Sequence, residues 1–94
     1  MAIPAFSEYF FPVLKQYESG EILSLTKVRA GVAKYFNLSD SDLKLRTKGD
    51  TKYQHNDRVQ WSGAYLRKAG LLDGASGNFT ITASGKALLK TNIT

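Results

Sequence analysis

One stretch, Tyr53–Gly70 (YQHNDRVQWSGAYLRKAG), limits the folds open to this chain more than any other. It runs without a proline at a helical apolar period and ends on Gly70, the residue type favoured just past a helix C-terminus. At 100° per residue, Val59, Ser62, Gly63, Leu66 and Ala69 share one face, with Tyr65 at its edge. Tyr53, Asp57, Gln60, Ala64, Arg67 and Lys68 lie opposite. One side is built for burial and the other is polar, with its cations toward the C-terminal end. A glycine-rich segment follows directly, flanked by Leu71–Asp73 and the alternating run Asn78–Thr82, which is hairpin chemistry. A simple helical bundle has no use for such a hairpin after its longest helix.

The rest of the chain supplies shorter helices. Ile3 to Tyr17 carries Phe6, Phe10, Val13, Leu14 and Tyr17 at helical spacing, and Pro12 should kink or break it, with a restart at Pro12 as the alternative. Gly20 suits the position after a helix end. Ile22–Ser24 is a candidate edge strand. A second helix is expected from Leu25 or Thr26 to Phe36, capped by Ser24 and burying Val28, Val32, Tyr35 and Phe36. Ser39 to Asp42 announces a short third helix with a capping box, and Leu43 and Leu45 should point inward. Arg46 to Lys52 (RTKGDTK) reads as a basic loop leading into the long helix. Thr82 can cap a last helix, Ala83 to Lys90, with Ala87, Leu88 and Leu89 as its apolar residues. The expected fold is α+β and mainly helical, a single domain over residues 1–94. Its element order is that of a winged helix-turn-helix with a small three-stranded antiparallel sheet, the hairpin being the wing.

Charge is concentrated. Between residues 44 and 68 lie Lys44, Arg46, Lys48, Lys52, Arg58, Arg67 and Lys68 against Asp50 and Asp57, a local excess of +5 that equals the net charge of the whole chain. A basic cluster running into a long helix is the footprint of a phosphate-binding surface, and a solvated basic loop is the alternative. Cysteine is absent and His55 is the sole histidine, which removes thiol chemistry, Cys-ligated zinc and a histidine metal site. No apolar run approaches the roughly 20 residues of a membrane span, and the N-terminus lacks a basic signal-peptide region, so a cytoplasmic protein is expected. There is no G-x-S-x-G and no phosphate loop, and capping accounts for the Asp40–Asp42 pair. The chain is therefore not expected to be an enzyme, nor to use a metal or cofactor.

The expected DNA contacts cluster at the start of the long helix: Lys48, Lys52, Tyr53, Gln54, Asn56, Asp57 and Gln60. A helix entering the major groove reads with its first turns, amide side chains can pair with adenine, and lysines can hold phosphates. Arg67 and Lys68, further along the same face, suit phosphates. Arg58 divides between a phosphate and an ion pair with Asp40 or Asp42. His55 should be packed. Trp61 and Tyr65 are expected in the core, with an extruded or modified base as their alternative ligand. The hairpin tip carries no cation, so modest affinity is expected, about 10⁻⁴ to 10⁻⁶ M.

Several blocks, in order, carry a resemblance: IPAF at Ile3–Phe6, P-x-L-K at Pro12–Lys15, Gly20-Glu21, V-A-x-x-F-x-L-S at Val32–Ser39 and Arg58-Val59-x-Trp61. The longest are Y-L-x-K-A-G-L-L at Tyr65–Leu72 and G-x-F-x-I-T-x-x-G at Gly77–Gly85. Together they resemble the N-terminal domain of Mrr-type restriction endonucleases, which act on modified DNA. The resemblance implies a winged-helix fold and target recognition, with double-stranded DNA, modified or not, as the partner and a homodimer left open. Family members tend to carry Asn before the Arg-Val pair, where this chain has Asp57, so no preferred base sequence transfers. In those enzymes a nuclease domain follows; this chain is expected to be either an excised domain or a stand-alone relative. A winged-helix module for protein interaction or dimerisation is the alternative function.

Overall fold

The computed structural model describes residues 3–47, 52–75 and 78–91. Its longest helix, α4 (Gln54–Lys68), reproduces the amphipathic stretch and buries His55, Val59, Ser62, Gly63 and Leu66. It ends as the sequence requires. Leu71 N–H bonds back to the Leu66 carbonyl and Gly70 N–H to that of Arg67, a Schellman pattern with Gly70 at φ +82°.

Around α4 the chain winds a 3-10 turn (Phe6–Tyr9), then α1 (Phe10–Gln16), α2 (Leu25–Phe36) and the short α3 (Asp40–Leu43). After α4 come strands β1 (Leu72–Ala75) and β2 (Asn78–Ile81) and the last helix α5 (Ala83–Thr91). The fold is thus α+β, mainly helical, with a two-stranded antiparallel hairpin registered Leu72 to Ile81 and Gly74 to Phe79. No described helix is long and apolar enough to cross a membrane.

Caps account for the helix boundaries. Ser24 Oγ accepts Lys27 N–H at 3.4 Å and opens α2, which closes on Asn37 in the left-handed region, φ 56°. At α3, Ser39 Oγ accepts Asp42 N–H at 3.1 Å while the Asp42 carboxylate accepts Ser39 N–H at 3.0 Å. The Ser39 backbone N–H donated to that carboxylate, with the Ser39 hydroxyl acting in the same direction, holds the Asp42 carboxyl below its ordinary pKa. Thr82 Oγ1 takes Gly85 N–H at 3.1 Å and opens α5.

One core joins all the layers: Tyr9, Val13, Leu14 and Tyr17 beside Val28 and Val32, then Val59 and Leu66, closed by Leu72, Phe79, Ile81 and Leu89. Two glycines permit close packing. A side chain at Gly63 would press on the Phe79 ring 3.2 Å away, and one at Gly85 would meet the Leu71 carbonyl. That is how α4 and α5 lie against the hairpin.

Four expectations need correction. Pro12 neither breaks the first helix nor restarts it: the change of winding comes earlier, between Tyr9 and Phe10. Pro12 is the third residue of α1, where the missing N–H would have had no intrahelical partner. The third strand is reduced to a single bridge between Leu23 and Phe79, because Ile22 is 70 % exposed and Ser24 is already committed to capping α2. Tyr35 points outward, half exposed, with its ring edge against Phe36. In α5 the inward residues are Gly85 and Leu89, while Ala87 and Leu88 are exposed.

Candidate nucleic-acid interface

The segment ahead of α4 is stapled to the helix start by backbone and side chain together. Gln54 N–H donates to the Leu45 carbonyl at 2.8 Å, and Gln54 Nε2 to the Arg46 carbonyl at 2.7 Å. Thr47 N–H reaches the Lys52 carbonyl at 2.8 Å, and Arg46 and Tyr53 form an antiparallel bridge. The Arg46 guanidinium lies 4.4 Å from the centre of the Tyr53 ring and reaches its hydroxyl at 3.4 Å. The loop is therefore closed at its base. Lys48, expected among the DNA contacts, lies outside the described residues.

This closure collects Arg46, Lys52, Tyr53, Gln54 and Asp57 at the N-terminal end of α4. Tyr53 is the N-cap residue and supplies no side-chain cap, so its side chain does not cover the first-turn amides. A helix start concentrates positive potential, here with the Gln54 N–H already taken by the Leu45 carbonyl. Lys52 Nζ sits 3.6 Å from Asp57 Oδ1. The carboxylate thus offsets the nearest lysine, and both groups are part-exposed, so the pair contributes little to stability.

The other expected contacts are distributed along α4. Asn56 is half-buried, and Gln60 and Lys68 are exposed. Arg67 reaches sideways: its Nε donates to the Gly74 carbonyl of β1, tying the helix end to the hairpin. Arg58 turns the opposite way and donates to the Pro4 carbonyl at 2.8 Å. The ion pair with Asp40 or Asp42, the alternative to a phosphate contact, is not among the pairs of the described residues, and the guanidinium is engaged by Pro4 instead. That contact spans 54 residues and leaves no local sequence signal.

His55 is packed as expected, 1 % exposed. Its Nε2 lies 2.9 Å from the Arg29 carbonyl, which can only accept, so Nε2 carries the proton. Nδ1 is then the acceptor for the Tyr9 hydroxyl at 2.8 Å. Burial holds the histidine pKa below its ordinary value, with the charge of Arg29 acting in the same direction against the opposing effect of its backbone contact. Burial also pushes the Tyr9 hydroxyl up to about 12, against the pull of Arg58.

Trp61 and Tyr65 are not core residues. Each is 50 % exposed, with ring centres 6.3 Å apart, and Tyr65 leans edge-on against Phe6 and Phe10. Both positions sit at the border of the helical face, where periodicity alone does not decide burial. Stapling by Gln54 and stacking of Arg46 on Tyr53 also escaped the sequence reading. The one signal for that pairing is the Gly49-Asp50 dipeptide, a hairpin-turn pair in the middle of the basic loop. Among the described residues no group of three carboxylate or histidine side chains could hold a metal ion.

These features define a small α+β domain that offers a basic loop and the start of a long helix to solvent. The model of the Mrr N-terminal domain family matches residues 6–91, and the chain belongs to that family. Membership associates it with restriction systems. No curated protein and no solved structure matches the chain.

Proposed function

We propose that the chain is a duplex-DNA recognition module of a restriction system, a winged helix in which α4 is the reading helix and the β1–β2 hairpin is the wing. It has no catalytic activity of its own and works in the cytoplasm. The observation that carries this reading is the pairing ahead of α4, which holds Arg46, Lys52 and the start of the helix, without a side-chain cap from Tyr53, at one end. Lys48, on the same loop, adds charge, while Gln60 and Asn56 offer amides to base edges. Lys68 and Arg58 serve phosphates along the helix. The hairpin has no cation in its own strands, and Arg67, bonded to Gly74, brings one to its base.

A salt titration of duplex binding tests the proposal. Log K should fall linearly with log salt, with a slope of about −0.9 for each phosphate neutralised. Lys52→Ala should weaken all sequences alike and flatten the slope by roughly one contact. Asp57→Asn should do the opposite, because it releases Lys52 from its ion pair. Absence of binding at ~50 mM salt would overturn the reading. A second reading, docking or dimerisation through the half-exposed Trp61 and Tyr65, predicts self-association in ultracentrifugation without DNA.

A further inference from the structure

Duplex reading from the helix start leaves the exposed aromatic pair of α4, Trp61 and Tyr65, without a task. Arg58, Trp61, Tyr65 and Lys68 follow one another at spacings of three, four and three residues, which places them on one line along the helix. The two rings form an open V, inclined at 39° to each other. Tyr65 is braced from behind by Phe6 and Phe10, at 5.7 and 6.3 Å between ring centres. Beyond it opens an almost wholly apolar groove lined by Phe6, Phe10, Tyr65, Leu66 and Ala69. No acidic residue lies on the stripe, and a cation stands at each end, about 15 Å apart at 1.5 Å rise per residue.

The occupant must therefore present flat apolar faces and regularly spaced negative charge. A second copy of this chain in a two-fold contact would set the same cations against each other. An intact duplex keeps its base faces stacked inward. We propose that the Trp61–Tyr65 stripe is a stacking platform for single-stranded DNA, with unpaired bases on the two rings and Arg58 and Lys68 on the flanking phosphates. Stacking on exposed aromatic rings with cations beside them is the general means by which unpaired strands are held, and it is sequence-tolerant because every base has a π-face. The aromatic pair stands apart from the duplex reading, whereas Arg58 and Lys68 meet phosphates in both.

Trp61 is the sole tryptophan, so its fluorescence reports on the platform directly. Titration with an oligothymidylate of about ten nucleotides at ~50 mM salt should quench it saturably. Trp61→Ala should weaken oligothymidylate binding, read by anisotropy of a labelled strand, by about 5- to 100-fold, and Trp61→Phe should recover most of the loss. Circular dichroism of both variants should match the parent, as expected for a half-exposed position. Oligothymidylate binding by Trp61→Ala at the parental strength overturns the proposal, and so does oligothymidylate binding without quenching. Quenching by an acidic amphipathic peptide and not by the oligonucleotide assigns the stripe to a protein partner instead. Loss of duplex binding with quenching by the single strand retained refutes the duplex reading alone; the reverse refutes the platform alone.

Discussion

Lowering the pH from 7.5 to 5.5 sets up a competition for a proton at His55 that the native fold enters at a disadvantage. In the unfolded chain a histidine titrates near 6.5, whereas the folded pKa is held lower, chiefly by burial. Both ring nitrogens are occupied, Nε2 by the Arg29 carbonyl and Nδ1 by the Tyr9 hydroxyl. Protonating Nδ1 would turn an acceptor into a second donor facing Tyr9, with the Arg29 and Arg58 charges nearby. Between the folded and unfolded pKa values the unfolded chain binds more protons, so stability falls as the pH drops below about 6.5 and levels off below the folded pKa. The loss has an upper limit of about 1.4 kcal/mol between pH 7.5 and 5.5, one pH unit's worth for one proton, reached where the fold keeps His55 neutral throughout. For a domain of this size that lowers Tm by about 7 °C. Thermal unfolding followed by circular dichroism between pH 7.5 and 5.5 measures it, with His55→Gln as the variant that cannot titrate. Tyr9→Phe should cost about 1–3 kcal/mol at pH 7.5, by stranding a buried acceptor, yet keep the parental pH dependence because burial remains. Parallel pH profiles for the parent chain and His55→Gln would refute the reasoning.

Arg58→Met should release the N-terminal segment from α4 at a cost of about 1.5–3 kcal/mol, the worth of a hydrogen bond from a charged donor, read as lower Tm and faster proteolysis ahead of Phe6. Gly85→Ala should destabilise by about 1–3 kcal/mol in denaturant titration, since its Cβ runs into the Leu71 carbonyl and Ile81. Arg67→Ala should accelerate amide exchange in β1 and β2 while leaving α1 and α2 protected, because it removes the link between the end of α4 and Gly74.

The elements legible in advance were those with a local cause. Ser24, Ser39, Thr82 and Gly70 each announce a helix boundary through chemistry contained within a few residues, and each boundary lies there. Alternation placed Phe79 and Ile81 inward in β2 as expected. Where burial depends on what happens to pass by, local pattern was insufficient. Trp61, Tyr65 and Tyr35 sit on helix borders, and among the described residues nothing covers more than about half of any of them. Arg58 meets Pro4 because the chain folds back from far upstream. At the candidate interface, charge concentration singled out residues 44–68 in advance, yet the hydrogen bonds of Gln54 and the stacking of Arg46 on Tyr53 arise from a backbone pairing that only the folded chain displays.

The closed base of the loop has a consequence for how such domains diversify. Thr47 pairs with Lys52 and Arg46 with Tyr53, so the chain on either side of the sequence Lys48–Thr51 is fixed by contacts of its own. Doubling the length of such a loop costs only about 0.6 kcal/mol of closure entropy. A change of length between these two pairings is therefore cheap in closure entropy, while Gln54 keeps α4 in register through the Leu45 and Arg46 carbonyls. The anchoring of the helix and the composition of the segment before it can then evolve on separate clocks.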